Sequence, residues 1–598
     1  MALKTGSRAR PNAHRHEIGA IYKSWHGRIS VALVFPNVYA VGSTNLGFQT
    51  VYRLLNEIES VVCERVFLPA ADRKSQGREK FSRGKLDRNG DASGQAGPAP
   101  YSEESGKPLS AFDMIAFSVS FENDYLNILT ILNLAGLPLR SKQRKIHPLV
   151  IAGGVACWLN PEPLASFIDL FLIGEAEVLL APFIRIYEKK ILRSAFLETV
   201  AREIPGVYVP GFFQPRYHSD GKLQSFVPTI DGLAARVRRM IVPDLSTQET
   251  HTTVVSNQTA FDSPFLVEIG RGCTRGCRFC SAGFIYRPPR FRNIASLMAE
   301  LEKGRQLADR IGLVGAAVSD LPGLPSLCRQ ASRAGISLAF SSLRADALTE
   351  TFIQTLVDSG VHTATIAPDA GSERLRRVIN KGLTEADILT AARSLVAAGI
   401  ANLKLYFMVG LPTETASDVD AIVTLTAAVK KIFLQESRRL GRIGKMTVSL
   451  NCFVPKPFTP FQWAAMDSVP RLKKKIMTVR KGLGRMANVS LRSESPHEAY
   501  FQALLARGDR RLAPVLESAC HRHENGAKAL AGVDVDPDFY VCRTRQPDEI
   551  FPWDFIDAGV NKSFLKKEFD KANREASSRP CPIVDCLRCG ACPPAENT

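Results

Sequence analysis

The sequence predicts an α/β protein in three parts: an N-terminal doubly wound parallel sheet over residues 1–215, a central partial (β/α) barrel over 263–468, and a mostly helical C-terminal module over 469–598 ending in a cysteine-rich tail. Three observations carry this reading. Short apolar, β-branched runs alternate with helical stretches in two separate sets, as parallel sheets with helical crossovers require. A polar stretch of weak periodicity, 216–262, links the two sets. At 598 residues the chain exceeds what one hydrophobic core supports, so several domains are expected.

In the first set, Arg28-Ile-Ser-Val-Ala-Leu-Val-Phe35 reads as a strand, and a Pro/Asn/Gly loop leads from it into a helix at Phe48–Asn56. Further strands are expected at 63–68, 114–120, 148–152 and 168–173. Residues 71–108 interrupt the pattern with Lys, Arg, Gly, Ser and Pro, so an exposed insertion is predicted there. The second set places strands at 265–269, 313–319, 337–341, 363–367, 404–409 and 446–452, with helical segments such as 295–311 between them. Beyond Val469 the chain becomes helical and rich in Lys and Arg.

The 45% hydrophobic and 23% charged fractions are those of a folded globular protein. The basic start has no apolar stretch of a secretory signal, and no apolar run reaches membrane-spanning length, so a cytoplasmic protein with no membrane partner is expected. With 77 Lys and Arg against 59 Asp and Glu, the net charge is +18. Such an excess suits RNA or another anionic partner, or simply a basic surface, since no long Lys/Arg block stands out. Of 13 cysteines, seven lie in two tight groups, which is how metal ligands rather than disulfides are distributed.

The first group lies in Glu268-Ile-Gly-Arg-Gly-Cys273-Thr-Arg-Gly-Cys277-Arg-Phe-Cys280, directly after a predicted strand. Cys273, Cys277 and Cys280 supply three thiolates, which leave one iron of a [4Fe–4S] cube open to a further ligand. A zinc or purely structural site is the alternative for such a loop alone.

This C-x3-C-x-aromatic-C loop after the first barrel strand resembles the signature of the radical S-adenosylmethionine (SAM) superfamily. The resemblance implies that the open iron binds SAM, that one electron splits it to methionine and a 5′-deoxyadenosyl radical, and that Cys273, Cys277 and Cys280 are the catalytic and metal-binding residues. It places Phe279 beside the adenine. Phe340-Ser-Ser-Leu-Arg-Ala-Asp346 is similar to a family element that would direct Ser342 and Arg344 toward the SAM ribose and carboxylate. Ile366-Ala-Pro-Asp369 followed by Lys381 looks like a segment where relatives carry Glu and a basic residue, and Leu405–Glu414 resembles the sixth-strand signature. Val314–Asp320 is similar to the segment that meets the SAM amino group.

The first unit resembles the cobalamin-binding domain that precedes many such barrels. Ile151-Ala-Gly153-Gly154 and Leu172-Ile-Gly-Glu175-Ala-Glu177 match its strand-end loops, and Gly153 and Gly154 would admit a nucleotide tail. No Asp-x-His-x-x-Gly is present to supply a cobalt ligand, so the fold with or without cobalamin is expected. Near the C-terminus, Cys581, Cys586, Cys589 and Cys592 stand at ligand spacing for zinc or a second iron–sulfur cluster.

Together with Gly283–Pro288, Asn451–Trp463 and Phe551–Val560, these segments resemble a bacterial family of cobalamin-domain radical SAM proteins without an assigned reaction. A reducing donor of flavodoxin or ferredoxin type is implied. Three functions are expected to compete: modification of a macromolecule such as RNA, small-molecule or cofactor metabolism, and a non-enzymatic cobalamin or redox sensor.

Overall fold

The computed structural model describes residues 17–69, 98–258, 265–340, 343–522, 524, 526–530, 534–583 and 586–592. The first unit is a sheet of six strands, β1 (Ile29–Phe35), β2 (Val61–Phe67), β3 (Met114–Ser118), β4 (Leu149–Gly153), β5 (Leu170–Leu172) and β6 (Val207–Tyr208), in the order β2-β1-β3-β4-β5-β6. The first five run parallel, and β6 closes the edge antiparallel to β5. Strand periodicity sends alternate residues to opposite faces. Val31, Leu33 and Phe35 accordingly pack into one core, while Ala32 and Val34 pack into the other. Both faces are covered, which is why these strands read as continuous apolar runs. Asn45 caps the helix Leu46–Glu57 by accepting the Phe48 N–H, so the chain turns promptly after β1.

The predicted insertion 71–108 falls outside the described residues from 70 to 97. Its last part is only partly exposed: Tyr101 is 46% exposed, whereas Glu104 lies 6% exposed against β2. The Arg65 Nε donates to Glu104 at 2.7 Å, and the same guanidinium pairs with Glu17 at 2.7 Å. A strand residue that is cationic and buried needs such partners, which draws the chain back onto the sheet edge.

The segment 216–262, expected as a simple link, contains the hairpin Phe213–Tyr217/Leu223–Pro228 and a short strand, Val237–Arg238, that pairs with Ile556–Asp557 near the C-terminus. Its residues 259–262 lie outside the described residues.

The second unit carries β7 (Phe265–Glu268), β8 (Arg310–Val314), β9 (Ser337–Phe340), β10 (Thr363–Asp369), β11 (Asn402–Val409), β12 (Met446–Cys452) and β13 (Val489–Ser493). β7-β8-β9 and β10-β11-β12-β13 form two parallel sheets, joined by a bridge between Leu343 and Ile366. The result is a barrel built of two arcs. β8 ends at Val314 rather than Ser319, because the chain leaves the sheet at Gly315, where a side chain would meet Ile269 at 2.9 Å. Thr384 and Thr415 open long helices with capping boxes completed by Asp387 and Asp418.

The barrel does not stop at 468, since the helix Val469–Leu483 and β13 add a further unit to its second sheet. The rest of the C-terminal region is helical but not separate. Helix Ala513–Arg522 packs on helix Tyr125–Leu134, the Asn160 amide donates to the carbonyls of Ala506 and Gly508, and Arg510 pairs with Glu162 at 2.9 Å. One apolar core runs through all three parts, from Val34 through Val267 and Leu405 to Leu565. Among the described residues no helix is long and apolar enough to cross a membrane.

Arg65→Ala leaves Glu104 buried without its cation, so the variant should lose about 3–5 kcal/mol of stability. Urea unfolding followed by circular dichroism measures the loss.

Candidate functional site

The cysteine loop follows β7 and is shaped by backbone bonds within it. Cys280 N–H donates to the Cys277 carbonyl at 3.0 Å, and Arg275 N–H points at the Cys273 sulfur at 3.4 Å. Gly272 has φ +88°, and a Cβ there would lie 2.9 Å from the Tyr286 carbonyl, so only glycine lets the loop fold this tightly. Burial pushes the Cys273 thiol up to about 12 and the Cys280 thiol up to about 11, each raised further by neighbouring thiols. Cys277 is also raised by burial, but Lys381, Arg344 and Arg275 oppose this from nearby.

Arg344 follows the third barrel strand, Lys381 follows the short helix after β10, and Arg275 lies in the loop itself. Asp369 ends β10 at φ +64°, after a register shift between Ile366 and Asp369, and pairs with Lys381 at 2.6 Å. Asp tolerates this left-handed conformation better than a branched residue would. Lys381 is held above its ordinary value: burial pulls it down, and the Asp369 carboxylate outweighs that pull. Arg344 forms a fork on Asp346 at 2.9 and 3.0 Å and reaches the Lys381 carbonyl at 3.3 Å. Arg275, inside the loop, pairs with Asp320 at 3.1 Å and Asp346 at 3.5 Å. The structure thus gathers Cys277, Arg344, Asp369 and Lys381 around one point.

Other predicted residues have different surroundings. Phe279 packs against the apolar cluster of Leu375, Leu411 and Phe453. Ser342 lies outside the described residues. Gly153 and Gly154 sit at the end of β4, away from the cysteine loop in sequence but beside the cleft described below. Gly154 has φ +100°, and a Cβ there would lie 2.5 Å from the Val119 carbonyl, so its own chain requires the glycine. Cys586 and Cys589 are buried, Cys581 and Cys592 half-buried. Among the described residues no three Cys, His, Asp or Glu side chains converge on one ion-sized point.

A solvent-open cleft of about 1340 Å³ lies between the two sheets. Ser118, Gly154 and Gly174 line it from the ends of β3, β4 and β5; Glu268, Gly270 and Gly315 line it from β7 and β8. The carboxyl ends of both parallel sheets therefore face one another, the usual place for ligands in such folds. A second, narrow apolar slot of about 70 Å³ runs between the first sheet and its helices, lined by Leu33, Leu55, Ala116 and Phe183. Slot and cleft share Ser118, Gly154, Gly174 and Ala176 as lining residues.

Arg271 crosses the cleft wall. It pairs with Glu177 at 2.5 Å and Glu175 at 3.1 Å from the first unit, and with Glu268 at 3.0 Å from its own. Arg290 adds a bond to Glu175 at 2.7 Å. Burial pushes Glu175 up, yet the two guanidinium groups hold it below the usual carboxylate range. Sequence reasoning missed the roles of Arg271 and Arg275. Their position between the glycines of the cysteine loop is a signal, but their partners lie far away along the chain.

Arg271→Ala should open the contact between the units, costing about 3 kcal/mol because Glu177 is left without its cation while Glu175 keeps Arg290. Faster cleavage in the 216–262 segment under limited proteolysis reports the loosening.

Comparison with known proteins follows the same division of the chain. Residues 47–210 match the family described as radical SAM proteins, N-terminal, and residues 267–426 match the radical SAM superfamily. An uncharacterized protein of Methanocaldococcus jannaschii is 33% identical over 415 residues, covering 68% of this chain and 81% of the relative. Among solved structures, the radical SAM methyltransferase TsrM of Kitasatospora setae aligns with a TM-score of 0.41 at 16% identity, over 70% of this chain and 72% of that one. The cobalamin-dependent radical SAM enzyme OxsB aligns with a TM-score of 0.40 at 15% identity, over 67% of this chain and 51% of that one. The first match takes in β2 to β6 and the second takes in the cysteine loop and the barrel strands through β11, and the chain belongs to the radical SAM superfamily of enzymes, a family that implies a [4Fe–4S] cluster and SAM.

Proposed function

We propose that Cys273, Cys277 and Cys280 hold the [4Fe–4S] cluster and that the chain cleaves SAM reductively to start radical chemistry on a substrate admitted through the cleft. The observation that carries this reading is the gathering of Arg344, Asp369 and Lys381 around Cys277 at the strand ends of the barrel. The donor set fits the group: three thiols on one tight loop leave an iron open, and nearby cations reduce the cost of the thiolates. When bound, the cluster supplies the electron that splits SAM. Lys381 and Arg344 offer positive charge for the SAM carboxylate, and Asp369, bonded to Lys381 through one oxygen, keeps the other as an acceptor. Phe279 stiffens the loop through its apolar contacts and presents an aromatic edge to the adenine.

Cobalamin is the second part of the proposal. The wide cleft suits a flat macrocycle, and Gly154, which lines both cleft and slot, and Gly153, which lines the slot, leave backbone open beside it for a nucleotide tail. No histidine lines either space, so a lower cobalt ligand from an imidazole is not part of this reading. When bound, cobalamin supplies a carrier for methyl groups. The ionisable lining of the cleft, Glu175, Glu177, Glu268 and Arg271 among its groups, is acidic in balance and favours a small molecule over RNA as substrate.

Anaerobic incubation of the reconstituted chain with SAM and a strong reductant should yield 5′-deoxyadenosine, and Cys273/Cys277/Cys280→Ala should yield none. Absence of product from the wild type, with its cluster loaded and candidate substrates present, would overturn the reading. Ala116→Phe, which fills the slot, should abolish retention of cobalamin in the absorption spectrum while the iron content stays that of the wild type.

A further inference from the structure

The cysteine loop touches two different parts of the molecule. Residues 270–272 line the cleft, while Thr274, Gly276 and Arg278 meet the C-terminal tail. Cys581 N–H donates to the Thr274 carbonyl at 2.7 Å, one residue beyond Cys273. The Asn380 side chain joins the same two segments, donating to the Gly276 carbonyl at 3.1 Å and accepting the Ser578 N–H at 2.7 Å. Arg278, fully buried between Cys277 and Phe279, pairs with Glu568 at 3.2 Å and donates to the Ala576 carbonyl at 2.7 Å.

Three of the four tail thiols share one place: Cys581, Cys586 and Cys589 line a cavity of about 80 Å³ together with Gly276 of the cysteine loop. Their spacing, C-x4-C-x2-C-x2-C, packs every donor into one short run, the habit of iron–sulfur loops; structural zinc sites usually divide their donors into two separated pairs.

We propose that Cys581, Cys586, Cys589 and Cys592 hold a second [4Fe–4S] cluster, fully ligated by protein, which passes electrons to the cluster of the Cys273 loop. The relay rests on the reading of that loop given above; the site itself does not. A low-potential one-electron donor protein of flavodoxin or ferredoxin type reduces the tail cluster. The tail cluster is then reoxidised as the loop cluster is reduced, one electron moving and no bond or proton changing. Full thiolate ligation leaves no open iron, so the tail cluster does not bind SAM.

Iron, sulfide and zinc are counted in the anaerobically reconstituted full chain, with electron paramagnetic resonance of the reduced protein with and without SAM. The wild type should carry roughly eight irons, and Cys273/Cys277/Cys280→Ala roughly four, with a signal that SAM leaves unchanged. Cys586/Cys589→Ala should keep the SAM-responsive signal alone. With a flavodoxin or ferredoxin donor its SAM cleavage should fall about tenfold or more, and with dithionite it should match the wild type. A loop variant without iron, or with zinc in its place, overturns the tail cluster. An unchanged rate with the protein donor overturns the relay. A SAM-silent wild type that keeps iron in the loop variant overturns the loop reading and leaves the tail site standing.

Discussion

One guanidinium holds the two halves of the active region in register. Arg271 takes carboxylates from Glu175 and Glu177 of the first sheet and from Glu268 of the barrel, and Arg290 binds Glu175 again. Burying so many charges costs desolvation energy that their attraction only partly offsets, so the clasp is poorly explained as a source of stability. It is better explained as a source of position. Guanidinium forks accept carboxylates in few geometries, so the strand ends of the first unit can meet those of the barrel in one arrangement. The cleft exists because that arrangement is held.

The cysteine loop depends on this clasp at one end and on the C-terminal tail at the other. Gly270 and Arg271 belong to the cleft wall, while Arg278 is locked by Glu568 and by backbone carbonyls of the helix and tail that follow. Between these fixed ends Cys273 and Cys277 are presented with little freedom, and Cys280 follows two residues beyond Arg278. Preorganisation of this kind matters for a site whose intermediates must be shielded and whose geometry must be kept without help from solvent. The same logic accounts for Asp369, which sits in a left-handed conformation at the end of β10 and meets Lys381 from there. Its local strain is balanced by an ion pair that only this backbone turn can reach.

The C-terminal region changes the picture that its composition suggests. Its basic, helical sequence reads as an appendage, yet Asn160, Glu162 and Arg140 of the first unit bind residues 506–517 directly. Helix Lys562–Asn573 then reaches the cysteine loop through Glu568. The region bridges the other two, and many of its arginines are spent on internal carboxylates rather than displayed as a surface for polyanions.

Sequence alone determined the features that local chemistry dictates. β-branched runs such as Ile29–Phe35 must be strands buried on both faces, C-x3-C-x2-C must present three thiolates after a strand, and the pattern of two strand sets must give two parallel sheets. It was right about strand existence at Leu149–Gly153 and Met446–Cys452 because periodicity is local. It was silent or mistaken wherever the partner lies far along the chain. Glu104 looked like part of an exposed insertion because its cation, Arg65, is in a strand that precedes the insertion, and β13 looked like part of a separate module because its pairing with β12 depends on register rather than composition. Arg271, Arg278 and the tail cysteines owe their roles to contacts across roughly a hundred to three hundred residues, and such contacts are set by packing of whole units, which no short stretch of sequence encodes.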